Sequence, residues 1–231
     1  MAERAFNLLD EPWMLVMNRD GVTEKTSLTD AFARAGEWRR LAGELPTQNA
    51  ALLRLMLAVL HTVVSRYDEA GEEAPVESPW DALGRWERIW TERRFPMEVI
   101  RGYLAGYRDR FFLFDPERPF YQVPDIGKGT EYTAAKLNGE LSESNNKVRL
   151  FPQRSGRAKA LLEYDEAARW LIHLNAFDDT SGKKADSGIQ VTPGAGWLGK
   201  LGLVMAEGDN LFETLMLNLV LLPDGGDELW G

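Results

Sequence analysis

The sequence predicts an α+β fold: a mainly helical single domain with an N-terminal β-hairpin, short strands and two long loops. Three observations carry that prediction. Apolar residues recur at helical spacing in segments spread along the chain. Near the N-terminus the turn signal Asn18-Arg19-Asp20-Gly21 separates two short β-prone runs. Two polar stretches, around 140–160 and 178–196, are longer than compact domains tolerate without a functional reason.

Taken in order, Trp13 to Met17 and Val22 to Thr26 form the two arms of the hairpin. Ser27 followed by Asp30 resembles a capping box and opens a helix through Trp38. Thr47 or Asn49 can cap the next helix, in which Leu52, Leu53, Met56, Leu57, Leu60 and Val64 recur at helical spacing. This helix is apolar over much of its circumference and is expected to be central and buried. An acidic, proline-containing break from Ala70 to Pro79 follows. Helices are expected over Trp80–Trp90 and Met97–Tyr107, separated at Phe95-Pro96, and Trp86 and Trp90 share one packed face. The aromatic, proline-punctuated run from Phe111 to Val123 suits extended chain. A short helix fits Thr133 to Leu137 within a polar loop. A longer one fits Tyr164 to Asn175, its first turn acidic in the sense that favours the helix dipole. Leu201 to Met205 reads as a strand and Asn210 to Leu222 as a last amphipathic helix. No internal repeat is present.

The 231 residues are expected to form one domain, or one domain with an appendage. There is no cysteine, which excludes disulfides, thiolate metal sites and thiol catalysis. No run of 18 apolar residues occurs. Asp10, Glu11 and Pro12 interrupt any signal-peptide core, so no membrane partner is expected and the cytoplasm is the expected location.

The formal net charge is −9, yet Asn145 to Lys159 carries Lys147, Arg149, Arg154, Arg157 and Lys159 without one acidic residue. An acidic protein repels polyanions at long range, so a local reversal of sign, with Phe151 available for stacking, is a candidate phosphate-contacting loop. The plain alternative is a solvated loop whose charges balance acidic neighbours.

Catalytic patterns fare poorly. The two histidines, His61 and His173, lie in helical segments and offer no zinc spacing. His61 reads as a core residue of the apolar helix. Gly182-Lys183 is followed by Lys184 where a P-loop needs Ser or Thr. Gly194-Ala195-Gly196-Trp197-Leu198-Gly199 matches the dinucleotide fingerprint literally, but Pro193 precedes it and a strand-like run follows. No cofactor and no enzymatic activity are expected. A binding or assembly role remains.

Phe6-Asn7-Leu8-Leu9-Asp10-Glu11-Pro12-Trp13 resembles the N-terminal signature of the large subunit (CasA) of the type I-E CRISPR surveillance complex, Cascade. Arg118-Pro119-Phe120-Tyr121-Gln122 resembles that family's HPFxQ segment. Gly208-Asp209-Asn210-Leu211-Phe212-Glu213-Thr214-Leu215, with Leu217-Asn218-Leu219, resembles a third block, and the three lie in family order. The resemblance implies a non-catalytic subunit that contacts the 5′ end of the guide RNA. It also implies recognition of the protospacer-adjacent motif (PAM) in double-stranded target DNA and recruitment of a helicase-nuclease. Base pairing would read sequence while the protein reads a short duplex motif. Other Cascade subunits would be partners. Two loops would carry the nucleic-acid contacts. In the first, Asn145, Asn146 and Phe151 match a polar-aromatic loop to which Lys147, Arg149, Arg154 and Arg157 belong. The second is a glycine-containing loop at Ser181, Gly182, Lys183 and Lys184. Glycine permits close approach to a narrow minor groove, whose degenerate pattern makes readout tolerant. Family members are about twice as long and end in a four-helix bundle, so residues 1–231 correspond to their N-terminal globular domain. A protein-interaction scaffold without nucleic-acid contact, its basic loop docking on an acidic partner, is the alternative. An unrelated enzyme using the glycine motif is a third.

Overall fold

The computed structural model describes residues 5–124, 133–140, 154–159, 161–177, 196, 198–199 and 202–221. The chain groups into two compact units: residues 7–111 with 205–231, and residues 1–6 with 112–204.

In the larger unit, β2 (Met14–Met17) and β3 (Thr23–Thr26) form the expected antiparallel hairpin, with Met14 opposite Thr26 and Met17 opposite Thr23. Asn18 closes it: its carbonyl accepts from Gly21 and its side chain from the amides of Asp20 and Val22. Gly21 takes φ +81°, the left-handed conformation this turn requires. Ser27 Oγ accepts from Asp30 N at 3.1 Å and starts α1 (Leu28–Ala33). The helix ends five residues before Trp38, not at it. The chain turns at Arg34–Glu37, Arg39 N bonds Met17 O at 2.7 Å, and β4 (Arg40–Leu41) joins the free edge of β2. The sheet order is β3-β2-β4. Trp38 is thereby buried from a loop.

α2 (Pro46–Arg66) is the central helix, burying residues around most of its circumference, and it packs on α4 and α7 (ranges below). Length and composition alone would let it cross a membrane, but 61% of its apolar window is buried inside the protein. Neither Thr47 nor Asn49 caps it. Leu45 is the N-cap and Pro46 begins the helix, because proline brings a preset φ and has no N–H to satisfy. The side chains of Gln48 and Asn49 instead turn back, accepting from Glu44 N (3.0 Å) and Gly43 N (2.7 Å). His61 is half-buried on this helix.

α3 (Pro79–Glu92) and α4 (Met97–Gly106) flank Phe95-Pro96 as expected, and Ser78 caps α3 by accepting from Asp81 N. Trp86 and Trp90 stack at 5.1 Å, and Trp86 Nε1 donates to Met216 O at 2.9 Å in α7 (Leu211–Asn218). Arg85 grips Asp81 through both carboxylate oxygens and donates to the carbonyls of Val64 and Tyr67, locking α3 to the end of α2. The same guanidinium holds Asp81 below the usual carboxylate range. Residues 202–205, expected as part of a strand, have no regular structure; Val204 is 98% exposed. An apolar run becomes a strand only when another strand satisfies its amides and carbonyls.

In the smaller unit, β1 (Ala5–Asn7) pairs with β5 (Phe112–Phe114). The segment beyond β5 is irregular and tied by Phe120 N to Phe112 O and by Gln122 Nε2 to Leu113 O, both 2.9 Å. α5 (Ala134–Leu137) follows Thr133, and α6 (Tyr164–Phe177) ends two residues beyond its expected limit.

Candidate nucleic-acid interface

The local frame of the basic segment is α6. Its N-terminal residue Tyr164 packs edge-on against Phe6 (5.8 Å) and Phe114 (4.7 Å), anchoring the helix on the two-stranded sheet. In the same turn, Asp165 forms a buried i,i+4 ion pair with Arg169 at 2.8 Å. Glu166, beside Asp165 in the first turn, takes a different partner. Arg154 donates Nη1 to Glu166 Oε2 and Nη2 to Glu166 Oε1, both at 3.2 Å. This fork-to-fork geometry fixes direction as well as distance.

From Arg154 the chain runs into a 3-10 turn, Gly156–Lys159, with Ala158 N bonded to Ser155 O. Arg157 is exposed on that turn and Lys159 is half-buried. The Lys159 carbonyl accepts from Asn138 Nδ2 at 3.3 Å, and Asn138, buried after α5, also accepts from Glu140 N. The described part of the basic segment therefore presents one exposed cation, Arg157, beside the half-buried Lys159 and one cation, Arg154, already matched by an acid.

Arg154 and Arg157 are the two sequence-predicted site residues that fall within the described residues. Asn145, Asn146, Lys147, Arg149 and Phe151, and the second loop at Ser181, Gly182, Lys183 and Lys184, lie outside them. The residues that sequence reasoning missed are Glu166 and Asn138. Glu166 was legible only as a dipole-favouring acid, because nothing in one dimension matches it to an arginine twelve positions earlier.

The dinucleotide alternative meets a geometric objection. A Cβ on Gly196 would lie 2.5 Å from the carbonyl carbon and 2.6 Å from the oxygen of Ala176, and Leu198 N donates to that oxygen at 2.7 Å. Gly196 sits against the C-terminal end of α6, where the dipole is negative; a pyrophosphate needs a helix N-terminus. His173 is flanked by the rings of Trp170 (5.3 Å) and Phe177 (5.1 Å), in a packed position. Among the described residues no group of three His, Cys, Asp or Glu is placed to hold a metal ion. A cleft of about 930 Å³ in the larger unit has Phe32, Val63, Ile89, Phe95 and Phe212 in its lining, and Arg85 there is committed to Asp81 and two carbonyls.

Comparison with known proteins gives a consistent outcome. A family model described as CRISPR-associated protein Cse1 matches residues 7–230. The CRISPR-associated protein CasA/Cse1 of Thermus thermophilus is 36% identical over 97% of this chain, which spans 42% of that relative's length. Among solved structures, Cse1 of Thermobifida fusca superimposes with a TM-score of 0.72 at 34% identity, covering 94% of this chain and 39% of that one. A chain of a structure described as a CRISPR RNA-guided surveillance complex gives a TM-score of 0.73 at 25% identity, covering 97% of this chain and 45% of its own.

Proposed function

Because the chain belongs to the family of the CRISPR-associated protein Cse1, we propose that it is the N-terminal part of the large, non-catalytic subunit of an RNA-guided antiviral surveillance complex of the type I-E Cascade kind. In that complex it contributes to PAM recognition in double-stranded target DNA, contacts the 5′ end of the guide RNA and helps recruit the helicase-nuclease. It works in the cytoplasm beside the other Cascade subunits, without a cofactor and without a membrane. The single observation that carries the nucleic-acid role is the sign-reversed segment 145–159, which in a chain of net charge −9 displays the exposed Arg157 on a turn pinned by neighbouring residues. Asn145, Asn146, Lys147, Arg149 and Phe151 precede that turn as the polar, basic and stacking part of one contact. Ser181, Gly182, Lys183 and Lys184 supply the second, at the PAM minor groove. Few charges suffice because the rest of the complex would hold most of the nucleic acid.

The test uses the assembled complex. Replacing Lys147, Arg149 and Arg157 by Ala in the full-length subunit is expected to lower target-duplex affinity and to reduce the salt slope by about 2.7, at about 0.9 per phosphate contact. Thermal unfolding should be unchanged. Unaltered affinity and slope would reject the role. Crosslinks from Phe151 and Lys183 to protein, with none to RNA or DNA, would favour the interaction-scaffold alternative.

A further inference from the structure

We propose that Glu166 is a positioning residue for nucleic-acid binding: by clamping Arg154 it fixes the turn that presents Arg157, so that removing this acidic side chain weakens the hold on a polyanion. The inference rests on the role proposed above for the basic segment, and it reassigns Arg154 from phosphate contact to anchor.

The carboxylate is held from three directions. Arg154 meets both its oxygens at 3.2 Å. The Glu163 amide donates to Oε2 at 3.2 Å. Its place in the first turn of α6 sets it in the positive end of the helix dipole. The pair is only partly accessible, with side-chain exposures of 16% for Arg154 and 27% for Glu166. It is consequently less screened, and less costly in side-chain entropy to keep, than the exposed ion pairs that contribute little. The far end of the same short stretch is pinned separately, where Asn138 donates to the Lys159 carbonyl. Arg157 therefore sits on a 3-10 turn held on both sides by residues outside it. A cation presented in its binding geometry loses less freedom on binding, and that difference appears directly as affinity.

Arg154 is poorly suited to touch phosphate itself. Both of its Nη groups face Glu166, and turning them to a phosphate would leave the Glu166 carboxylate with fewer partners beside a polyanion. Simple electrostatics gives the opposite expectation to the clamp. Neutralising an acid within a Debye length of nucleic acid should strengthen binding. The sign of the Glu166 effect separates the two.

The experiment measures binding of a labelled target duplex by the assembled complex, with the full-length subunit carrying Glu166→Gln, Arg154→Ala, both together, the swap Arg154→Glu with Glu166→Arg, or Arg157→Ala. Glu166→Gln is nearly isosteric, and thermal unfolding of each variant shows that it folds. Glu166→Gln and Arg154→Ala are each expected to weaken binding on the order of five-fold, the size of a coupled pair, with the double variant no worse than either. The swap should recover affinity to within about two-fold, since the clamp is rebuilt with its ends exchanged. Arg157→Ala should lower the salt slope by about 0.9. Unchanged or tighter binding by Glu166→Gln, with Arg154→Ala and Arg157→Ala both weakened, would make Arg154 a direct contact and overturn the clamp alone. Unchanged binding by every variant, Arg157→Ala included, would instead overturn the nucleic-acid role of this segment.

Discussion

Replacing Glu213 by Ala should cost the larger unit about 2 kcal/mol, and each part of that figure has a named origin. α7 begins at Asn210, whose Oδ1 accepts from Glu213 N at 2.9 Å, and Glu213 Oε2 reaches back to Asp209 N at 2.9 Å. Oε1 receives Arg93 Nη1 at 2.7 Å. Losing the bond to the Asp209 amide costs about 1 kcal/mol, and losing a carboxylate at a helix N-terminus about 0.5 kcal/mol. The ion pair adds only about 0.3–0.5 kcal/mol, because Arg93 is 54% exposed although Glu213 is 18% exposed. Glu213→Gln keeps the hydrogen-bonding shape and should cost about 1 kcal/mol. The assay is urea denaturation followed by tryptophan emission, since Trp90 lies 6.3 Å from Phe212, the residue before Glu213. A double-mutant cycle with Arg93→Ala should return a coupling of about 0.5 kcal/mol. That variant also removes the guanidinium lying 4.6 Å over Trp90, so its own cost exceeds the coupling. A Glu213→Ala loss below about 0.5 kcal/mol would refute the accounting, because the bond to the Asp209 amide alone is set at about 1 kcal/mol.

Two further outcomes follow from local geometry. Gly196→Ala should destabilise by about 1–3 kcal/mol, since its Cβ would sit 2.5 Å from backbone that cannot rotate away. Gly84→Ala, with nothing within 4 Å inside α3, should stabilise by about 0.5–1 kcal/mol; thermal melts of the two variants must move in opposite directions. The third concerns pH. The side-chain hydrogen bond from Arg85 lowers the folded-state pKa of Asp81, so its contribution to stability is present above the ordinary carboxylate pKa and lost as pH falls through the lowered value. Melting temperature should decline below about pH 4, and Asp81→Asn should flatten that decline.

The residues that make the chain recognisable are not those assigned to nucleic acid. In the first block Asn7 Oδ1 accepts from Leu9 N, Asn7 Nδ2 donates to the Arg108 carbonyl, and Trp13 Nε1 donates to Leu8 O. Asp10 pairs with Arg108, raising that guanidinium's pKa. In the second, Asp115 accepts from the amides of Glu117 and Arg118, and Gln122 satisfies the carbonyls of Leu113 and Phe120. The third is the capped start of α7, where Gly208 leaves no room for a Cβ beside Glu213. Each block contains a turn, an irregular stretch or a helix start whose backbone polar groups are satisfied by particular side chains.

What the sequence determined by itself was local: the hairpin with its Asn18–Gly21 turn, the Ser27 cap, the buried course of α2 and the shared face of Trp86 and Trp90. Each is set by residues within a few positions of one another, where spacing and side-chain chemistry act directly on the backbone. The tertiary structure decided the rest. It placed β4 on the edge of β2, buried Trp38 from a loop, left residues 202–205 without strand partners and set Gly196 against the end of α6. It also divided the basic segment's two described arginines into one held by Glu166 and one exposed. Those outcomes depend on which distant groups the folded chain brings within 3–4 Å, and at that distance an acid twelve residues away settles whether an arginine is free to meet a ligand.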